Sequence, residues 1–130
     1  MATLTPTLTL TSSDISSDSL SLSVTDSLTI VSPIVNISTI TATTTGGDNI
    51  IVPNLDSPRY VYLKHTGLNS AGSSSGTDKV VVETADGTQI FELKLGEFAF
   101  FPFYAGGAGK LQLQTSANTV QVEYAYFTRG

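Results

Sequence analysis

The chain has 130 residues, of which 40% are hydrophobic and only 13% charged, with a formal net charge of −5 and no cysteine. That length suits one domain with a sizeable core, and the lack of cysteine excludes a disulfide framework and any thiolate metal site. Residues 1–58 hold five acids and no base, residues 59–130 six acids and six bases, so the clustered Lys or Arg that a nucleic-acid surface needs is missing.

The first 45 residues carry 22 serines and threonines interleaved with single aliphatics. Thr7-Leu8-Thr9-Leu10-Thr11 returns as Ser19-Leu20-Ser21-Leu22-Ser23, at a 12-residue offset. Strict alternation puts every Leu on one face of an extended strand. Two copies are too few for a solenoid, so the segment predicts a strand pair connected by residues 12–17. A third extended stretch, Leu28 to Ile40, is broken by Pro33, which points to an edge or a bend. Residues 43–49, Thr-Thr-Thr-Gly-Gly-Asp-Asn, form a turn cluster that ends this Ser/Thr-rich arm, so the expected organisation is an arm over 1–45 and a body over 46–130.

In the body, Ile50-Ile51-Val52 opens a new texture and Pro53 to Pro58 reads as a loop. Tyr60 to His65 predicts a strand, followed by a Gly-Ser loop over Gly67 to Gly76 expected to be flexible and exposed. Lys79 to Ala85 and Thr88 to Leu95 flank Asp86-Gly87, the strongest hairpin signal in the chain, read as a type I′ turn. Gly96 interrupts before Glu97 to Tyr104, whose alternating faces are both aromatic. One sheet's core cannot receive both, so either the strand is buried on both sides or its second face meets a partner, and Pro102, which suits an edge or a bend, favours the partner. Gly106 to Gly109 leads into Leu111 to Gln114, and Val120 to Tyr126 closes the chain with the same period of two. No 3.6-residue apolar period coincides with a capping signal. The fold class is therefore all-β, an antiparallel sandwich of jelly-roll type with about seven or eight strands and an extended N-terminal strand arm.

Motifs for chemistry are sparse. His65 is the sole histidine, so a multi-His metal site is excluded and a serine nucleophile would have one base to choose. Gly72-Ser73-Ser74-Ser75-Gly76 matches the nucleophile-elbow string but lacks the strand and helix that give the elbow its geometry; His65 reads as a solvent-facing or hydrogen-bonded strand-end residue. Glu83, Glu92, Glu97 and Glu123 alternate with apolar residues, the pattern of an outward polar face rather than a glycosidase pair. Asp14, Asp18 and Asp26 lack calcium-loop spacing, and neither Gly-rich loop ends in the Gly-Lys-Ser/Thr of a phosphate cradle. Asn36-Ile37-Ser38 matches a glycosylation sequon, but no basic region followed by an apolar run marks a secretory signal, and no window reaches 18 consecutive apolar residues. No enzyme activity, cofactor or membrane partner is expected.

Three stretches carry a resemblance: Pro58 to Gly67 (Pro-Arg-Tyr-Val-Tyr-Leu-Lys-His-Thr-Gly), Leu93 to Phe103 (Leu-Lys-Leu-Gly-Glu-Phe-Ala-Phe-Phe-Pro-Phe) and Thr119 to Phe127 (Thr-Val-Gln-Val-Glu-Tyr-Ala-Tyr-Phe). In that order the chain resembles small β-rich virion proteins of tailed bacteriophages. The resemblance implies a structural role in the particle, as a capsid decoration (cement) protein on the major capsid protein or as a tail or neck component beside other virion proteins. It also implies many symmetric copies, a homo-oligomer such as a trimer, and localisation in the virion after synthesis in the host cytoplasm. No catalytic residue carries over. The expected contacts are Phe98, Phe100, Phe101, Phe103 and Tyr104 on the body, with Leu8, Leu10, Leu20 and Leu22 anchoring the arm. The alternative is a receptor- or carbohydrate-binding module that stacks its ligand on Tyr60, Tyr62, Tyr124 and Tyr126.

Overall fold

The structure is a computed structural model that describes residues 1–34, 37–53, 57–104 and 110–130, with backbone alone over 32–34. Among the described residues the fold is all-β. Its one helical piece is a single 3₁₀ turn, Gly46–Asp48.

The chain runs through β1 (Ala2–Leu4), β2 (Thr7–Ser12), β3 (Leu20–Thr25), β4 (Leu28–Ile34), β5 (Ser38–Ala42) and β6 (Ile50–Val52). It continues through β7 (Arg59–His65), β8 (Val80–Thr84), β9 (Gln89–Leu93), β10 (Phe98–Phe103), β11 (Leu111–Thr115) and β12 (Val120–Arg129). One sheet has the order β1-β4-β12-β7-β10, with β5 also paired to β12; a second has the order β6-β11-β8-β9; β2 and β3 pair only with each other. Every ladder is antiparallel.

The core lies between the two larger sheets. Val61 and Leu63 of β7 and Val120 and Val122 of β12 cluster with Val80 and Val82 of β8 and Leu111 and Leu113 of β11, all fully buried. These are alternate residues of strands predicted from their period of two, so the alternation is what turns one face of each sheet inward.

Two expectations are corrected and two others are narrowed. Within the Ser/Thr-rich segment β4 and β5 are laid on β12 of the same chain, and only the β2–β3 hairpin stands apart. Hydroxyl-rich composition hid this, because Thr and Ile pair in a buried sheet as readily as on a surface. Pro33 falls where the β4–β12 register jumps from Ile34 to Val31, so of the two readings, edge or bend, the bend holds, as a bulge within a paired strand. The Asp86-Gly87 hairpin forms, but only Gly87 has positive φ (84°) and no non-glycine residue does. Gly87 N–H bonds to Thr84 O and Thr84 N–H to Thr88 O, the three-residue loop with a left-handed Gly in place of a type I′ turn. Asp86 suits it, since its carboxylate accepts the Thr84 hydroxyl and the Thr88 N–H; these bonds hold its pKa below the usual carboxylate value.

The Gly-Ser loop is also not a loose excursion. His65 is fully buried at the end of β7; its Nδ1 accepts the Gly67 N–H at 3.0 Å, so Nε2 carries the proton and donates to the Asp78 carbonyl at 2.9 Å. Asn69 Oδ1 accepts the N–H groups of Ala71 and Ser73, and Gln121 Nε2 donates to the Asn69 carbonyl. Side-chain bonds to backbone take the place of a ladder here, and they order what composition alone reads as mobile.

The Asp26 N–H bond to the Pro6 carbonyl closes the root of the β2–β3 hairpin. Replacing residues 7–25 by two glycines should therefore leave the urea midpoint of the body nearly unchanged. Leu63→Ala, in the centre of the core, should cost about 3 kcal/mol in the same measurement. A hairpin replacement that unfolds the body would show that the hairpin is part of the core.

Candidate functional site: an apolar docking surface

The hairpin registers Leu8 opposite Val24, Leu10 opposite Leu22 and Ser12 opposite Leu20. Alternation then sorts its two faces, with Thr9, Ser23, Thr11 and Ser21 on one and an aliphatic stripe on the other. The stripe is uncovered: Leu8, Leu10, Leu20, Leu22 and Val24 are all 38 to 50% exposed. The expected strand pair and its Leu face are both present.

The strand β10 is an edge of the first sheet, as Pro102 suggested. Its alternation divides the five expected aromatic contacts. Phe101 and Phe103 turn inward against the core, Phe101 meeting Phe91 edge to face at a centroid distance of 5.3 Å. Phe98, Phe100 and Tyr104 are exposed, Phe98 at 63%. Of the five residues expected as contacts, only these three are exposed.

On that outer face Phe98 stands opposite Lys64, Phe100 opposite Tyr62 and Pro102 opposite Tyr60. Tyr60 stacks on Phe100 at 6.1 Å, and the Arg129 guanidinium sits 5.1 Å over the Tyr60 ring. Two shallow grooves border the row. One, of about 490 Å³, lies between the root of the hairpin (Pro6, Leu8, Val24) and Phe98, Ala99 and Phe100. The other, of about 250 Å³, is lined by Leu4, Ile37, Tyr62, Phe100 and Phe127 among others. Body and hairpin thus share one apolar surface. Val24 was the residue missed, although it continues the Leu20, Leu22 alternation.

The four tyrosines of the stacking alternative do not form one platform. Tyr60 and Tyr62 face outward, while Tyr124 and Tyr126 pack on the core. A polar concavity of about 460 Å³ lies elsewhere, among the loops that carry Thr43, Asn69, Ser75, Asp78 and Asn118.

The residues weighed for chemistry are dispersed. Both ring nitrogens of His65 are committed to backbone groups, and the Ser74 hydroxyl oxygen accepts the Gly76 N–H. Glu83 is not on an outward polar face as expected. It is buried and accepts Gln112 Nε2–H at 2.9 Å, beneath a turn that Asn49 pins by donating to Thr43, Thr45 and Leu113 carbonyls. A Cβ at Gly46 would collide with the Glu83 carboxylate, so the turn depends on glycine there. Glu92 pairs with Lys79 at 3.1 Å, Glu97 accepts the Lys94 N–H, and Glu123 accepts the Tyr62 hydroxyl at 2.9 Å. Asp14 is engaged with the Ser12 hydroxyl and Asp26 with the Ser27 N–H. Among the described residues no three His, Cys, Asp or Glu come together as a metal site, and no helix is long and apolar enough to cross a membrane. Asn36 of the sequon and the Gly106 to Gly109 loop lie outside the described residues.

No protein family, curated protein or solved structure matches this chain.

Partial burial, then the hydrogen bond to Glu123 and the charge of that carboxylate, hold the Tyr62 phenol above its usual pKa. A folded-state pKa that is raised adds stability below the unfolded phenol value, about 10. That stability is lost as pH rises through the folded one. In an absorbance titration Glu123→Gln should lower the highest phenol transition, though not to the free value, because burial persists. An unchanged transition would refute the Tyr62–Glu123 coupling.

Proposed function

We propose that the protein is a structural component of a tailed-phage virion, a capsid decoration (cement) protein that bridges and stabilises major capsid protein subunits in many copies. The observation that carries this reading is the β2–β3 hairpin, whose aliphatic stripe stands uncovered beside the exposed Phe98 and Phe100. Five large aliphatic residues along one projecting element form a surface built to be covered, since a lone two-stranded hairpin is marginal in water and gains stability when its apolar face is buried. The free edge of β10 and both edges of the hairpin also offer unpaired backbone groups for strand addition to a partner. The likeness of residues 58 to 130 to phage virion proteins supports the same reading. A place in the tail or neck would use the same surface with a different virion partner.

The glycan-binding alternative would now draw on the polar concavity near Asp78 and Asn118 in place of the tyrosines. Glycan-array binding by the isolated protein is its test.

Removing all of residues 1–45 would take β4 and β5 out of the first sheet, so the informative variant replaces residues 7–25 alone by two glycines. Purified particles grown with this variant should carry at least about tenfold fewer copies of the protein than wild type. Wild-type occupancy with the variant would sink the docking role of the hairpin.

A further inference from the structure

The hairpin is fixed at its root and bare along its length. Only Thr5-Pro6 joins it to β1 and only Asp26-Ser27 joins it to β4, while β1 is clamped to β4 by the pairing of Leu4 with Leu28. With the root closed by the Asp26 to Pro6 bond, there is little slack for the hairpin to fold back over its own sheet. Leu8 and Val24 border the groove against Phe98 and Phe100, but Leu10, Leu20 and Leu22 lie beyond its lining and are exposed.

Charge and length indicate what covers them. The stripe from Leu8 to Ser12 spans four residue steps, about 13 Å, and is bracketed by acids: Asp26 at the root, Asp14 and Asp18 at the tip. No base occurs anywhere in residues 1–58 to neutralise them. The aromatic row on the outer face of the first sheet covers the same number of steps, from Tyr60 to Lys64, and is bracketed by bases. Arg129 lies over Tyr60 at one end, and Lys64 stands opposite Phe98 at the other, with exposed Lys94 close by in sequence. None of these three bases is in a salt bridge among the described residues, where Lys79 with Glu92 is the one pair. Two acids share this side: Glu123, which stands opposite Lys64 and accepts the Tyr62 hydroxyl, and Glu97, which accepts the Lys94 N–H; the row therefore carries three bases against two acids, and the hairpin three acids against no base. An aliphatic stripe flanked by acids alone and an aromatic row with an excess of bases are complementary in sign, and the same chain carries both.

From this match we infer that the hairpin of one copy lies on the Phe98–Phe100 face of a second copy, so that the protein self-associates by arm exchange. This deepens the structural reading, on which it rests, by naming what the hairpin touches. Each copy gives a hairpin and receives one, an arrangement that closes by symmetry. The slot between hairpin root and β10 is then filled by the neighbour's leucines, and the Asp residues at root and tip meet the bases at the two ends of the row.

The test uses the full chain in sedimentation equilibrium. Wild type should have the mass of two or more copies. A hairpin variant, Leu10→Asp with Leu22→Asp, and a face variant, Phe98→Asp, should each dissociate with a constant raised about 100-fold. All three substituted side chains are exposed, and circular dichroism checks that the sheets persist. Mixing the two variants should restore a heterologous complex, because one supplies an intact hairpin and the other an intact face. A monomeric wild type overturns arm exchange, as does a monomer whose hairpin amides resist hydrogen exchange, which would place the hairpin on its own body. Failure of the mixed variants to associate also overturns it. Particle occupancy is a separate readout: a wild type that self-associates but is absent from particles overturns the virion reading and leaves arm exchange standing.

Discussion

One strand organises this fold. Over its ten residues β12 pairs with β7 along one edge, and along the other with β5 at its start and β4 at its end. Three strands from two distant parts of the sequence depend on that single strand for their place. Its inward residues Val120 and Val122 close the core against β8 and β11, and its outward Ala125 and Phe127 underlie the surface beside Tyr62 and Phe100. An error in the register of β12 would turn both faces over at once.

A chain poor in charge has to order its loops by other means. Here buried polar side chains bond to backbone: His65 ties Gly67 to Asp78, and Asn49 holds three carbonyls, including Leu113 on β11. Each bond is modest by itself. Inside a protein, however, an unmet backbone group costs more than a bond returns, so such side chains act as fixed points around which the loop must settle. Glu83 follows the same logic, being admitted to the interior because Gln112 meets it there.

The projecting hairpin obeys a different balance. It has ladder bonds between its two strands and two apolar cross-strand pairs, Leu8 with Val24 and Leu10 with Leu22, yet only Leu8 and Val24 border the body. Cross-strand pairing can hold a register, but it leaves half of each side chain in water. The same is true of Phe98 and Phe100, which face away from a core already filled from within by Phe101 and Phe103. Two uncovered apolar surfaces thus stand on one small protein.

By itself the sequence determined the class of structure: strict alternation set the strands, and the turn residues at Asp86-Gly87 and Gly96 set where β8 ends, β9 starts and stops, and β10 begins. The repeat of Thr-Leu and Ser-Leu determined the hairpin and its aliphatic face. Tertiary structure alone decided which strands share a sheet, and therefore that residues 28–42 belong with the body. It also decided which of the two aromatic faces of β10 is exposed, and that Glu83 goes inside while Tyr62 stays at the surface. The reason is that a period of two separates the faces of a strand without saying which one meets the core. Where both faces are apolar, or where a polar residue finds its partner far along the chain, only the packing of the other sheet makes that choice.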